Sequence, residues 1–324
     1  MTAAPIHLTC GAGEERPNKA CTGRWGFCGI FEHFSGFEFS LLPSRIHARP
    51  SASNANRWAA KQAEQINQKI KGKMEVQRIG KRGYLFIFEF GDAGTDTTNV
   101  YLIEGTQHWF VIDTFLGPAA IAEIATFLET DLDASTTIVV NTHAHFDHFW
   151  GNGAFRNATI IGHVLCKRDI KRTQQIKILE KNAGLQQGQV ELVAPQLTFE
   201  KRLVFEVDGV EMFHSPGHTR DSISIIDHED QVLLVGDNIG LPIPSIYPGV
   251  QIEDYIETLE NYRALALPKI ISSHYNQIEA GLIDTNLQYL RKLLNNDTAE
   301  YEQGKYKFFH DWNQKMLNRP MPEE

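Results

Sequence analysis

The alternation of apolar and polar positions changes character near residue 74. Before that point Gly, Pro, Ser and Asn are scattered, and no period is sustained until residues 58–73, which read as a polar helix or a linker. Residues 1–73 are therefore expected to be an N-terminal extension whose order the pattern does not fix. Residues 74–324 are expected to form the main domain. Within it, residues 84–88, 99–103 and 109–113 are short runs rich in β-formers, the first two separated by the turn-rich stretch 91–94. Residues 118–128 then take helical spacing, with Ile121, Ile124, Ala125 and Leu128 on one stripe, and 137–140 is a continuous apolar run of the kind a buried strand shows.

Strand-like and helix-like segments keep alternating. Residues 158–161, 203–207, 210–214, 222–226, 231–235 and 270–272 read as strands. Residues 252–265 are amphipathic, and 284–295 and 301–317 read as closing helices. Gly151 and Gly153 suit a tight loop at a helix start, and no internal repeat is visible. This order predicts an α/β chain in which strand ends carry the loops.

The strand expected over 137–140 leads directly into the most chemically loaded stretch of the sequence. His143, His145, Asp147 and His148 occupy four of six consecutive positions. Neutral imidazoles with one carboxylate suit Zn²⁺ or Fe better than the all-oxygen shells of Ca²⁺ and Mg²⁺. One loop supplies only part of a site, and three further candidates stand at the ends of later strands: His218, Asp237 and His274. Each alone is more often structural, a satisfied histidine or a turn aspartate. Their joint order is specific.

Composition narrows the partners. With 324 residues, 42% of them hydrophobic, the chain can bury one large core or two smaller ones. A formal charge of −9 and a pI near 5.8 provide no general field for phosphate backbones, so nucleic acid is not an expected partner and a small-molecule substrate is. No run approaches the roughly 18–20 apolar residues of a membrane span, and residues 1–10 lack a secretory signal, so no membrane association and a cytoplasmic location are expected. Oligomeric state is not legible. Cys10, Cys21 and Cys28 crowd the start without a Cys-x-x-Cys pair, which argues against a metal knuckle, and Cys166 reads as a buried small hydrophobe.

The pattern His-x-His-x-Asp-His, then Gly-His, then Asp, then His, each at a strand end, resembles the metallo-β-lactamase fold superfamily. The resemblance spans about residues 74–281, and Asp113 is similar to the family's early strand-end aspartate. It implies a four-layer αββα sandwich of two mixed β-sheets flanked by helices. It also implies that His143, His145 and His218 hold one divalent ion and Asp147, His148 and His274 a second, with Asp237 bridging. Zn is the expected metal, with Fe or Mn as alternatives. A metal-bridging hydroxide would then attack a small ester, thioester, lactone or amide, with Asp147 as the catalytic carboxylate that orients it.

Asp113, Thr142 and Thr219 are candidates to orient ligand histidines, Trp150 either lines the pocket or packs, and Tyr275 either meets substrate or packs. Other branches of the family fit less well. Its cysteine-ligated β-lactamases place Cys at the second metal, and no cysteine lies between His218 and His274. Its diiron flavoproteins carry Glu where this chain has His145. Its glutathione-thioester hydrolases use C-terminal basic residues, which Lys305, Lys307 and Lys315 do not match convincingly. A mononuclear iron enzyme similar to the persulfide dioxygenases remains the principal alternative, and the presence of both His148 and His274 favours two metals over one.

Overall fold

The computed structural model describes residues 74–90, 96–130 and 136–319. The expectations for residues 1–73, including Cys10, Cys21 and Cys28, and for the turn at 91–94 lie outside the described residues. Thirteen described strands form two sheets. The first runs in order β1 (Met74–Ile79), β2 (Gly83–Phe90), β3 (Asp96–Glu104), β4 (Trp109–Ile112), β5 (Thr137–Val140), β6 (Thr159–His163) and β7 (Leu197–Phe199). Its first four strands are antiparallel neighbours and its last four parallel. The second contains β8 (Arg202–Phe205), β9 (Val210–His214), β10 (Ile223–Asp227), β11 (Val232–Leu234), β12 (Lys269–Ile271) and β13 (Gln277–Ile278), all antiparallel except the β11–β12 pair.

Period-two alternation sends each strand's side chains to opposite faces, and the apolar residues sort into three layers accordingly. Between the sheets, Leu85, Tyr101, Phe110, Ile138 and Val140 meet Val210, Met212, Ile225, Val232 and Leu234. On the outer face of the first sheet, Val100, Val111, Val139 and Ile160 pack with Ile121, Ile124, Ala125 and Leu128 of α1 (Pro118–Thr130), the stripe read from spacing. On the outer face of the second sheet, Leu233, Val235 and Ile270 pack with Tyr255, Leu259 and Tyr262 of α5 (Ile252–Leu265) and Leu287 and Leu290 of α6 (Gly281–Leu294). Helix, sheet, sheet, helix is the expected four-layer αββα sandwich.

Three helices were not expected: the single turn α2 (Phe146–Phe149), α3 (Val164–Ile170) and α4 (Thr173–Lys181). In residues 164–181 polar and basic residues interrupt the apolar period, so α3 and α4 left little pattern. The closing helix expected over 301–317 is shorter. Two 3₁₀ turns occupy 299–301 and 304–306, Gly304 takes a left-handed φ of +61°, and α7 starts only at Lys307 (Lys307–Leu317).

A polar lock ties the sheets at one end. Arg82, in the β1–β2 turn, pairs with the buried Asp227 at the end of β10, its Nε donating to Oδ1 at 3.0 Å, and its Nη1 donates to the Asp208 carbonyl at 2.6 Å. The other end of the sandwich, where Ile223 N donates to Thr142 O at the start of β10, carries the histidine loops.

Candidate metal centre

The loop that follows β5 is held by its neighbours before any ligand is considered. Asp113 follows β4 with a left-handed φ of 62°, which Asp tolerates better than bulky residues. Its N–H still donates to Val140 O at 2.8 Å, while its carboxylate turns back over the end of β5. Oδ1 accepts from Thr142 N at 2.8 Å, and Oδ2 accepts from both Thr142 Oγ1 and His148 Nδ1 at 2.8 Å. Burial pushes this carboxyl up despite the opposing pull of His148. Gly151 allows the next turn to close, because a Cβ there would collide with the Thr114 carbonyl.

The polar partners fix which ring nitrogen each histidine presents. A carbonyl oxygen can only accept, so His218 donates Nδ1–H to Ser245 O (3.1 Å) and His274 donates Nδ1–H to Thr97 O. His148 donates to Asp113 in the same way. The Thr142 hydroxyl gives its proton to Asp113, so it accepts from His143 Nδ1 at 3.1 Å. All four rings therefore turn Nε2 inward. His145 instead presents Nδ1, 3.0 Å from His143 Nε2 and 3.1 Å from His218 Nε2. A single proton on His145 could serve only one of those two acceptors. Three ring nitrogens crowded this closely are spaced as donors around a cation are.

The carboxylates complete the arrangement. Asp237 follows Gly236, whose φ of +56° turns the chain after β11. Its Oδ2 lies 3.6 Å from His143 Nε2, 3.5 Å from His218 Nε2, 3.4 Å from His148 Nε2 and 3.0 Å from His274 Nε2. Asp147 Oδ2 lies 3.3 Å from His148 Nε2 and 3.7 Å from His274 Nε2, and accepts from Thr98 Oγ1 at 2.9 Å. The donors fall into two adjacent groups: His143, His145, His218 and Asp237, and Asp147, His148 and His274. One oxygen of Asp237 faces nitrogens of both.

This donor set fits divalent metal. Tetrahedral donors about 2.0–2.1 Å from a zinc ion stand roughly 3.3–3.4 Å from one another, close to the spacings above. His148 Nε2 and Asp237 Oδ1 are buried without a hydrogen-bond partner, an arrangement that a coordinating ion satisfies. Electrostatics agree. Burial lowers His143, and it lowers His145 to about 3, keeping both neutral as ligands must be. At His148 and His274 burial is outweighed by the surrounding carboxylates, chiefly Asp147 at the first and Asp237 at the second, which raise His274 to about 9. Burial likewise raises Asp147 and Asp237, and the nearby His148 and His274 reverse this and hold both below the usual carboxylate range. Three buried carboxylates, with Asp113, call for positive charge at this spot.

All seven sequence-predicted ligand residues are thus brought together, and Asp113 and Thr142 touch ligand rings as expected. Thr219 does not: its hydroxyl pairs with Ser222 Oγ at 2.8 Å. Trp150 is fully buried against Phe146 with ring centroids 4.9 Å apart, so it packs. The Tyr275 hydroxyl donates to Leu241 O at 3.4 Å. Sequence reasoning missed Thr97, Thr98 and Ser245, and also Asn238, whose Oδ1 accepts from His218 N at 2.8 Å. It missed Tyr247, whose ring lies 4.1 Å from His145 and 4.7 Å from His218 between centroids. Burial pushes the Tyr247 hydroxyl up to about 12. Thr97 and Thr98 open an ordinary strand and Ser245 and Tyr247 lie in an aperiodic loop, so none carried a sequence signal.

Residues 93–274 match the family model of the metallo-beta-lactamase superfamily, and the chain belongs to that superfamily. The acyl-coenzyme A thioesterase MBLAC2 of Homo sapiens is 26% identical over 217 residues, covering 59% of this chain and 77% of that protein. An N-acyl homoserine lactonase of Bacillus thuringiensis is 27% identical over 123 residues, 36% of this chain and 42% of the lactonase. Among solved structures, a metallo-beta-lactamase from Pontibacter korlensis aligns with a TM-score of 0.52 at 17% identity, covering 68% of this chain and 99% of its own, a likeness of fold. The thioesterase and the lactonase are hydrolases by name, which supports a metal-dependent hydrolase at the level of the family. No helix among the described residues is long and apolar enough to cross a membrane.

Proposed function

We propose that this protein is a dinuclear, zinc-dependent hydrolase of a small thioester. His143, His145 and His218 would hold one ion and Asp147, His148 and His274 the other, with Asp237 between the two groups. The observation that carries the reading is the position of Asp237 Oδ2, within 3.6 Å of four imidazole nitrogens drawn from both groups. A mononuclear iron site would leave His148 Nε2 and His274 Nε2 without a function, although Asp113 and the Thr97 carbonyl aim both inward. The thioester is favoured over the lactone because the acyl-coenzyme A thioesterase aligns over 59% of the chain and the lactonase over 36%.

Divalent metal held there would supply Lewis-acid polarisation of a carbonyl and an acidified water near neutral pH. The chain's own residues set the rest. Thr98 pins Asp147 through Oδ2, leaving its second carboxylate oxygen to accept the proton of the attacking water. The Tyr247 ring covers His145 and His218 and keeps bulk water from that face. Asp113 and Thr142 hold His148 and His143 in the tautomers that ligation needs.

The test is metal analysis with a hydrolase panel on the zinc-loaded protein: an acyl-coenzyme A thioester, an N-acyl homoserine lactone, a chromogenic cephalosporin and a phosphodiester. About two zinc ions per chain and turnover of the thioester are expected, with His145→Ala reducing turnover at least 100-fold, as loss of a ligand to a catalytic metal should. One iron per chain, or turnover confined to another member of the panel, would replace this reading.

A further inference from the structure

His218 takes its backbone and Nδ1 partners from the loop that follows Asp237. Its N–H donates to Asn238 Oδ1 at 2.8 Å and its carbonyl accepts from Tyr247 N at 3.1 Å. Its Nδ1 faces two groups of Ser245, the carbonyl at 3.1 Å and the hydroxyl at 2.9 Å. These two groups differ in the tautomer they allow. The carbonyl can only accept, which keeps the proton on Nδ1 and leaves Nε2 free to face the other ligand residues. The hydroxyl can also donate, which would leave the ring proton on Nε2 and block ligation there. The direction of the Ser245 carbonyl therefore decides whether His218 is ready to bind metal.

That direction is set from α7. The Ser245 carbonyl and the Ile246 N–H belong to one planar trans peptide group and point to opposite sides of it. The Ile246 N–H donates to Asn313 Oδ1 at 2.9 Å, so the carbonyl is turned the other way, onto His218. Asn313 Nδ2 donates to the Pro244 carbonyl at 2.8 Å, on the preceding peptide, and to the Tyr289 hydroxyl at 3.0 Å. A flipped amide would set Nδ2 against the Ile246 N–H and Oδ1 against the Pro244 carbonyl, so only one orientation satisfies the segment. The Tyr289 hydroxyl lies 3.2 Å from His310 Nδ1, to which it can give its own proton. The neighbouring position of the helix reaches the same loop, where the Trp312 ring lies 5.7 Å from that of Tyr247 between centroids. Asn313 is fully buried, so its amide has been placed among these partners at the expense of solvent.

We propose that Asn313 is a positioning residue of the metal centre: by fixing the Ser245–Ile246 peptide it selects the tautomer in which His218 offers Nε2. The proposal rests on the reading of His218 as a ligand and adds to it the group, supplied by α7, that holds the ring ready. Asn286 of α6 provides the comparison. It clamps the same loop by the same pair of bonds, accepting from Gly240 N at 2.9 Å and donating to Gly240 O at 3.0 Å, and it is equally buried. Its clamp acts on a peptide other than that of Ser245.

The experiment reads the His218 ring in metal-free protein labelled with nitrogen-15 at histidine, by long-range proton–nitrogen correlation, the ring being assigned through a His218→Asn variant. In the unaltered protein the proton is expected on Nδ1. Asn313→Leu removes both bonds to the segment and moves the proton in good part to Nε2. Zinc affinity, measured by competition with a chelator, then falls about 10–100-fold for one of the two ions, the usual effect of losing a partner that orients a ligand. Asn313→Asp keeps an acceptor for the Ile246 N–H and recovers the proton on Nδ1. Asn286→Leu lowers the melting temperature about as much as Asn313→Leu, since each leaves buried backbone groups unpaired, but changes neither the tautomer nor the zinc affinity.

A proton on Nε2 in the unaltered protein, or in a folded Asn313→Asp variant, would overturn the proposal without reference to Asn313→Leu. An Asn313→Leu ring still protonated on Nδ1 would overturn it as well and leave Asn313 a packing role, as would a tautomer that moves equally in Asn286→Leu. A tautomer that moves in Asn313→Leu alone, with zinc affinity unchanged or with no zinc bound by any form of the protein, would retain the relay from Asn313 to His218 and remove the reading of His218 as a ligand.

Discussion

Asp113 shows how much of a candidate metal centre is decided by a residue outside the expected ligand set. Its carboxylate makes three bonds of 2.8 Å and through them sets the tautomer of His148 directly and of His143 by way of Thr142. An Asp113→Asn variant keeps an acceptor but loses the charge and must present an N–H to one of these partners. Zinc affinity, measured by competition with a chromophoric chelator, is expected to fall about 10–100-fold, the usual effect of removing an orienting partner. The pH dependence follows from His274. Asp237 and Asp147 outweigh burial and raise it to about 9, so below that pH the metal-free nitrogen holds a proton that zinc must displace. Affinity should therefore rise with pH up to about 9, by at most about tenfold per unit for each proton released. A flat profile between pH 6 and 9 would show that His274 is not displaced from a proton and is not a ligand.

At the scale of elements, the strands were legible and the polar devices between them were not. The run over 137–140 and the stripe on 118–128 announced β5 and α1 because burial on a sheet face imposes periodicity. The seven candidate ligands were legible because their residue types and spacing are uncommon. Thr97, Thr98 and Ser245 were not, since their part depends on which strand lies beside which loop, a property of the sheet order. Arg82 is the same case at the far end of the sandwich: nothing in its sequence neighbourhood points to Asp227, 145 positions away. Both side chains are buried, so removing one leaves the other charged and unpaired. Arg82→Ala should cost about 3–5 kcal/mol, the scale for breaking a buried pair, read as a lower urea midpoint at unchanged slope. Activity per folded molecule should be retained, because the lock lies at the opposite end of β10 from Thr142. Loss of activity in protein that remains folded would mean that the spacing of the sheets is transmitted to the histidine loops.

For the whole molecule, the ends of both sheets meet at one cluster, so a cation held there should serve the fold as well as the proposed chemistry. β4 and β5 deliver Asp113 and the histidine loop from the first sheet, while β11 and β12 deliver Asp237 and His274 from the second. Asp113, Asp147 and Asp237 are buried together, and their mutual repulsion calls for positive charge between them. A ligand that binds only the folded chain stabilises it by about 2.7 kcal/mol at a hundred times its dissociation constant. With each kcal/mol worth roughly 2–4 °C in a domain of 150–250 residues, chelation should lower the melting temperature by roughly 5–10 °C, and added zinc should restore it. His145→Ala, which leaves the packing between the sheets intact, should show a smaller shift on chelation than the unaltered protein. If chelator and zinc leave the melting temperature of the unaltered protein where it was, the five imidazoles and two carboxylates are not holding metal, and the hydrolase reading falls with them.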